Sequence, residues 1–112
     1  MKFEDTIIPE IIKRLKTSLN SGFIEIATMV LSACSKDISR ELIGYFDDVR
    51  NPYAQSMILV ALGFKADATC IPWLIEKHKE LKRLYPNETY YDGAYYGLYE
   101  IEDRSNLYEK KN

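Results

Sequence analysis

Residues 51–74 read NPYAQSMILVALGFKADATCIPWL, and this stretch decides the fold. Asn51-Pro52 opens a helix. The run from Ala54 to Phe64 is apolar nearly all round, which a helix tolerates when neighbours cover several of its sides. MILVALGF is also compatible with a strand, but every flanking segment is helical and a lone strand has nothing to pair with. After a tight link at Lys65–Thr69, Ile71-Pro72 opens another helix, with Ile71, Leu74, Ile75, His78, Leu81 and Tyr85 expected on one side.

Working outward, the same period continues in both directions. Upstream, Ile7, Ile8, Ile11, Ile12, Leu15 and Leu19 paint one broad face, with Thr6 as a plausible cap and Pro9 in the first turns. Asn20-Ser21-Gly22 breaks the chain. The second helix places Phe23, Ile26, Ala27, Val30, Leu31 and Cys34 on one side, and Ile24, Met29 and Ala33 extend the apolar cover, so it is expected to be largely buried. After Ser35-Lys36-Asp37, a third helix carries Ile38, Leu42, Tyr45 and Phe46. Downstream, Pro86-Asn87-Glu88 ends the fifth helix. A sixth is expected from about Thr89 to Asp103, with a short polar tail over about 104–112.

Six helices joined by short loops make successive helices antiparallel neighbours. Ile38-x3-Leu42-Ile43 is echoed about 33 residues on by Ile71-x2-Leu74-Ile75, and a two-helix unit of that period is the mark of an α-solenoid. The expectation is one all-α domain over residues 1–112, an α-α superhelix of three stacked hairpins.

Asn51-Pro52, Ala61-Leu62-Gly63, Asp67 and Ile71-Pro72-x-Leu74 together resemble a HEAT-type repeat, particularly the short variety of the phycobilisome lyases. Ala54 and Gln55 stand where that pattern has valine and arginine, so the arginine that often ties a neighbouring aspartate is absent. The resemblance covers roughly residues 51–74. It implies a stacked helical fold in which Ala61 and Gly63 allow close helix approach, with Gly63 also a flexible exit from its helix. Repeats of this kind serve mostly as scaffolds and recognition surfaces. Some relatives act on tetrapyrrole proteins, but no residue carries that activity over.

Composition narrows the function. The 112 residues are 46% hydrophobic and 29% charged, with a formal net charge of -2, so nothing supplies the cationic field that a nucleic-acid backbone requires. MKFEDTIIPE has acids where a secretory leader needs an apolar run, and no stretch has the length of a membrane span. A cytoplasmic location is expected, without nucleic acid or membrane as partner. Cys34 and Cys70 make no metal set and read as buried free thiols.

Chemistry is poorly provided for. His78 is the single histidine and falls within an apolar stripe, where it reads as a core residue; as a general base it would need a carboxylate or thiol in reach. The seventeen acidic residues are too many for any pair to stand out, and Gly93 and Gly97 are not followed by a phosphate-binding lysine. Lys77-His78-Lys79-Glu80-Leu81-Lys82-Arg83 reads as a solvated face. No catalytic residue, metal ligand or cofactor is assigned.

The unusual feature is tyrosine, nine in all, with five from Tyr90 to Tyr99. On a helix Tyr90, Tyr91, Ala94, Leu98 and Ile101 point to the core, Tyr95 lies on the flank, and Tyr96 and Tyr99 point away. Exposed tyrosine at the end of a solenoid suits a capping role, a protein partner or a second copy, and less well a stacking platform for bases. Trp73 lies off its helix's main stripe and is either covered by the preceding hairpin or a binding anchor. The expected function is a non-enzymatic protein-interaction module, an adaptor or an inhibitor of the immunity-protein kind, with Trp73, Tyr95, Tyr96 and Tyr99 as partner-binding candidates. The alternatives are an enzyme or lyase-like chaperone subunit with a groove near His78, and a homodimer formed through the last hairpin.

Overall fold

The computed structural model describes the chain from residue 3 to residue 110, and its side chains from residue 4 to residue 104. Among these residues it forms six α-helices: α1 (Phe3–Leu15), α2 (Ser21–Ala33), α3 (Ser39–Tyr45), α4 (Pro52–Lys65), α5 (Ile71–Leu84) and α6 (Asp92–Lys110). Short 3-10 turns at Phe46–Asp48 and Ala68–Cys70 close α3 and lead into α5. The described residues contain no strand, and MILVALGF lies wholly within α4.

Short polar side chains set the helix starts, and they recur. The Asn20 Oδ1 accepts from the Phe23 N–H at 3.0 Å ahead of α2, and the Asn51 Oδ1 accepts from the Tyr53 N–H at 3.0 Å ahead of α4. Asp37 accepts from the Ser39 N–H at 3.0 Å and Asp67 from the Thr69 N–H at 2.9 Å, each also taking the hydroxyl of that residue. Both pairs repeat about 30 residues apart, so the linkers echo each other as well as the helices.

Each odd helix packs on the even helix that follows it, and α4 lies between α2 and α6. The odd helices adjoin one another on the other side. The Lys16 ammonium sits 4.0 Å from the centre of the Tyr45 ring, and Phe46 meets Trp73 edge to face at 5.3 Å. Two layers result, α1/α3/α5 and α2/α4/α6, in a body of 44 × 44 × 22 Å whose thickness is that of two helices. The core between them holds Leu15, Ile24, Leu31, Leu42, Phe46, Leu59, Leu62, Leu74 and Leu81, all nearly inaccessible.

The tightest seam joins α4 to α6. Gly93 lies against the Ser56 carbonyl, Gly97 against the Leu59 carbonyl, and Gly63 against Gly97 itself, so three side-chain-free positions bring the two backbones together. The Arg104 guanidinium then donates to the carbonyls of Gly63 and Ala66, covering the C-terminal end of α4. Gly63 is thus a contact inside the helix and not its exit.

Other expectations need correcting. α1 begins at Phe3, so Thr6 lies inside it and Pro9 sits in its interior. α2 buries Ile24, Ala27, Thr28 and Leu31, while Ile26 and Met29 are 63% and 70% exposed. The helix is apolar nearly all round, so periodicity could not choose its face; α1 and α4 cover two sides and leave a third open. α5 buries Leu74, Lys77 and Leu81 and leaves Ile75 exposed. Tyr45 is at the surface. α6 starts at Asp92 and continues to Lys110, so residues 104–110 are helical where a tail was expected; residues 111 and 112 lie outside the described residues.

Candidate interaction surface

Helical geometry and a few contacts orient the described side chains of the α2/α4/α6 layer. In α4, the Gln55 amide donates to the Phe46 carbonyl at 3.3 Å, which turns that side toward the odd helices. At 100° per residue, Tyr53, Met57, Val60 and Phe64 fall on the opposite side, away from the core. They are partly or largely exposed. In α2, Phe23 faces α1 under the Arg14 guanidinium, and Glu25 accepts from the Tyr53 hydroxyl at 2.9 Å across the α2–α4 boundary. That leaves Met29 pointing outward on the α4 side and Ile26 pointing outward on the side nearer α1. Burial, followed by the Glu25 bond, pushes the Tyr53 phenol above its ordinary value.

α6 divides its tyrosines between two directions. Gly93 and Gly97 face α4, and Tyr91 meets the His78 ring of α5 edge to face at 5.3 Å. Tyr96 therefore flanks α4 on the outer side of the layer, with Asp92, Glu100 and Asp103 in the same column. Tyr95 and Tyr99 project from the free edge of α6, the Tyr95 ring meeting that of Tyr96 edge to face at 5.7 Å. All three rings are more than half exposed, at 57%, 58% and 60% for Tyr95, Tyr96 and Tyr99.

Trp73 belongs elsewhere. It lies in the odd layer, half-buried on Phe46, with the Lys77 ammonium 5.5 Å from its ring centre. Lys77 is the residue the sequence reading misplaced. Its ammonium bonds Asp47 at 3.3 Å and Glu80 at 3.4 Å and lies 5.3 and 5.5 Å from the ring centres of Phe46 and Trp73, and the residue is buried along its length. The spacing Leu74, Lys77, Leu81 could have revealed it, since a lysine three residues from one core leucine and four from another shares their face.

Trp73 also borders an open cleft of about 500 Å³ between α3 and the α4–α5 link, lined by Asp37, Arg40, Lys65, Asp67, Cys70 and others. Several of its polar groups are already engaged. Asp37 and Asp67 hold the turns that follow them, and the hydroxyl bonds from Ser39 and Thr69 keep both carboxyls below their ordinary value. The Lys65 ammonium donates to the Cys34 carbonyl. Burial, then the two nearby aspartates, pushes the Cys70 thiol up, away from the nucleophilic thiolate. His78 is not part of this cleft. Both cysteines are free, Cys34 buried and Cys70 half-buried.

Among the described residues, no group of three or more His, Cys, Asp or Glu is placed to hold a metal ion, and no helix is long and apolar enough to cross a membrane. Comparisons with known protein families, with curated proteins and with solved structures returned no match.

Proposed function

We propose that this chain is a non-enzymatic protein-interaction module, a short HEAT-type solenoid that receives a protein partner on its α2/α4/α6 layer. One observation carries the reading: Ile26, Met29, Phe64 and Tyr96 are all substantially exposed on the outer side of that layer. Apolar side chains scattered singly over a surface mean little, but a shared face of them marks a binding site. Tyrosine, methionine and phenylalanine are also the residue types enriched where proteins meet. The paired hairpins, the recurring Asn20/Asn51 and Asp37/Asp67 turns, and the glycine seam support the solenoid reading.

The test replaces Tyr96 and, separately, Met29 with a photoreactive phenylalanine analogue in cells that make the protein. Lys79, exposed on the odd layer, is the control position. Both layer positions should give the same discrete adduct with another protein, which Lys79 does not give. An adduct of the chain with itself would transfer the surface to self-association, and no adduct at either position would overturn the proposal.

A further inference from the structure

The charges around this face say what kind of segment it receives. Between their first residues and Arg104, the acids of α2, α4 and α6 are Glu25, Asp92, Glu100, Glu102 and Asp103. Over those same described residues the cations are Lys65 and Arg104. Both are turned onto backbone carbonyls, Lys65 on Cys34 and Arg104 on Gly63 and Ala66. Among the described residues the apolar face is thus flanked by carboxylates, and the two cations of its helices are spent on backbone carbonyls. The exposed bases Lys79, Lys82 and Arg83 sit on α5, in the other layer.

Shape narrows the occupant further. A partner strand needs a sheet edge, and the described residues contain no strand to offer one. Three helices side by side present shallow valleys instead, and an amphipathic helix fills such a valley with anchors at i, i+3/i+4 and i+7. The α2–α4 valley is walled by Met29 on one side and Met57 and Phe64 on the other, the first and last of them well exposed. Methionine is flexible and polarisable, and so adapts to varied anchors.

We infer that the α2/α4/α6 face binds a basic amphipathic helix of a protein partner, with apolar anchors over Met29, Met57 and Phe64 and its Lys/Arg residues over Glu25, Glu100 and Asp103. This rests on the interaction reading above and gives it a partner class. Electrostatic complementarity of this kind steers encounter and fixes orientation, and salt weakens it.

The experiment measures fluorescence anisotropy of the purified full chain with three labelled synthetic peptides. One is a basic amphipathic helix, one has the same apolar face with glutamate for every lysine, and one is a scramble of the basic peptide without helical periodicity. The basic helix should bind at least about tenfold more tightly than either control and lose affinity as salt rises. Met29→Lys, at a surface position where substitution leaves folding intact, should weaken it about tenfold, the loss expected for one central contact. The double variant Glu100→Gln, Asp103→Asn should flatten its salt dependence. Equal binding of the acidic or scrambled peptide, or none of the basic one, overturns the inference. If the photo-adducts of Tyr96 and Met29 nevertheless form, the interaction reading survives with another partner chemistry; if they too are missing, both fall. Light scattering run alongside covers the remaining occupant: a dimer that Met29→Lys breaks would assign the face to a second copy and overturn the basic-helix assignment.

Discussion

Gly63 and Gly97 meet backbone to backbone, so closely that a Cβ built on Gly63 would lie 2.5 Å from the Gly97 Cα. A Cβ on Gly97 would in turn lie 2.6 Å from the Leu59 carbonyl oxygen. In both cases the obstruction is backbone, which cannot swing aside as a side chain can. The contact fixes the distance between α4 and α6, and with it the place of Tyr96 beside the α4 stripe.

Alanine at Gly63 or Gly97 should therefore destabilise the chain, even though alanine is worth about 1 kcal/mol more than glycine inside a helix. Overpacking of a close seam costs about 1–3 kcal/mol, enough to outweigh that gain. Gly44 on α3 is the internal control, because a Cβ there has nothing within 4 Å. Gly44→Ala should stabilise by about 0.5–1 kcal/mol through propensity alone. Urea denaturation of the three variants checks the signs, and equal effects at all three positions would sink the argument.

Much of this seam was legible in the sequence. Ala61-x-Gly63 in an apolar helix signals close approach because only small side chains let two backbones come together, and Gly93 and Gly97, four apart in a tyrosine-rich helix, fit the same rule. Helix number and order were legible from the 3.6-residue period and the Asn-Pro and Pro-Asn breaks. The faces of α2 and α5 were not. Around α2 nearly every position is apolar, so the buried side is chosen by which neighbours arrive; Ile26 and Met29 lost because no helix arrives on their side. In α5, Lys77 looks like one more base in a basic run until Phe46 and Asp47, about 30 residues away in sequence, are packed beside it and its helix neighbour Trp73. Of the candidate residues, Tyr95, Tyr96 and Tyr99 could be read as exposed, but their division between a face and an edge depends on where α4 lies.

The Lys77 arrangement makes its own prediction. The side chain is 10% exposed while its partner Asp47 is 79% exposed, so the ion pair is screened at one end and the buried stem is the larger contribution. Lys77→Met, which keeps the stem and removes the charge, should cost less than about 1 kcal/mol, as volume-conserving exchanges under apolar cover do. Lys77→Ala, which empties buried space beside Phe46 and Trp73, should cost about 2–3 kcal/mol. Asp47→Ala should cost under about 1 kcal/mol. A Met variant as damaged as the Ala variant would show that charge, not packing, is what this position supplies.

Asp37 and Asp67 tie stability to pH. The hydroxyls of Ser39 and Thr69, then the backbone N–H groups of the same residues, hold both carboxyls below 3.8 in the folded chain. A carboxyl depressed on folding contributes stability that is fully present above its unfolded value, and is lost as pH falls through the folded one. The contribution should be constant from neutral pH down to about 5 and shrink below about 4. Thermal melts of the wild type and of Asp37→Asn, Asp67→Asn should differ at pH 7 and converge toward pH 2. A difference that grows on acidification would contradict the assignment of these two bonds.

Tyr95 and Tyr99 separate capping from recognition. Both project from the free edge of α6, where no further hairpin follows among the described residues. As caps, they would shield the apolar side of α6, and their removal would lower stability. With rings 57% and 60% exposed, they give up little contact on truncation, and surface positions of that kind usually change stability by less than about 0.5 kcal/mol each. Tyr95→Ser, Tyr99→Ser should therefore unfold in urea within about 1 kcal/mol of the wild type, with an unchanged slope against denaturant, the sign that neither folded nor unfolded compactness has altered. A loss of 2 kcal/mol or more, on the order of a buried aromatic's contribution, would assign these two rings to capping. Recognition would then rest on Tyr96 and the outer face of α2 and α4.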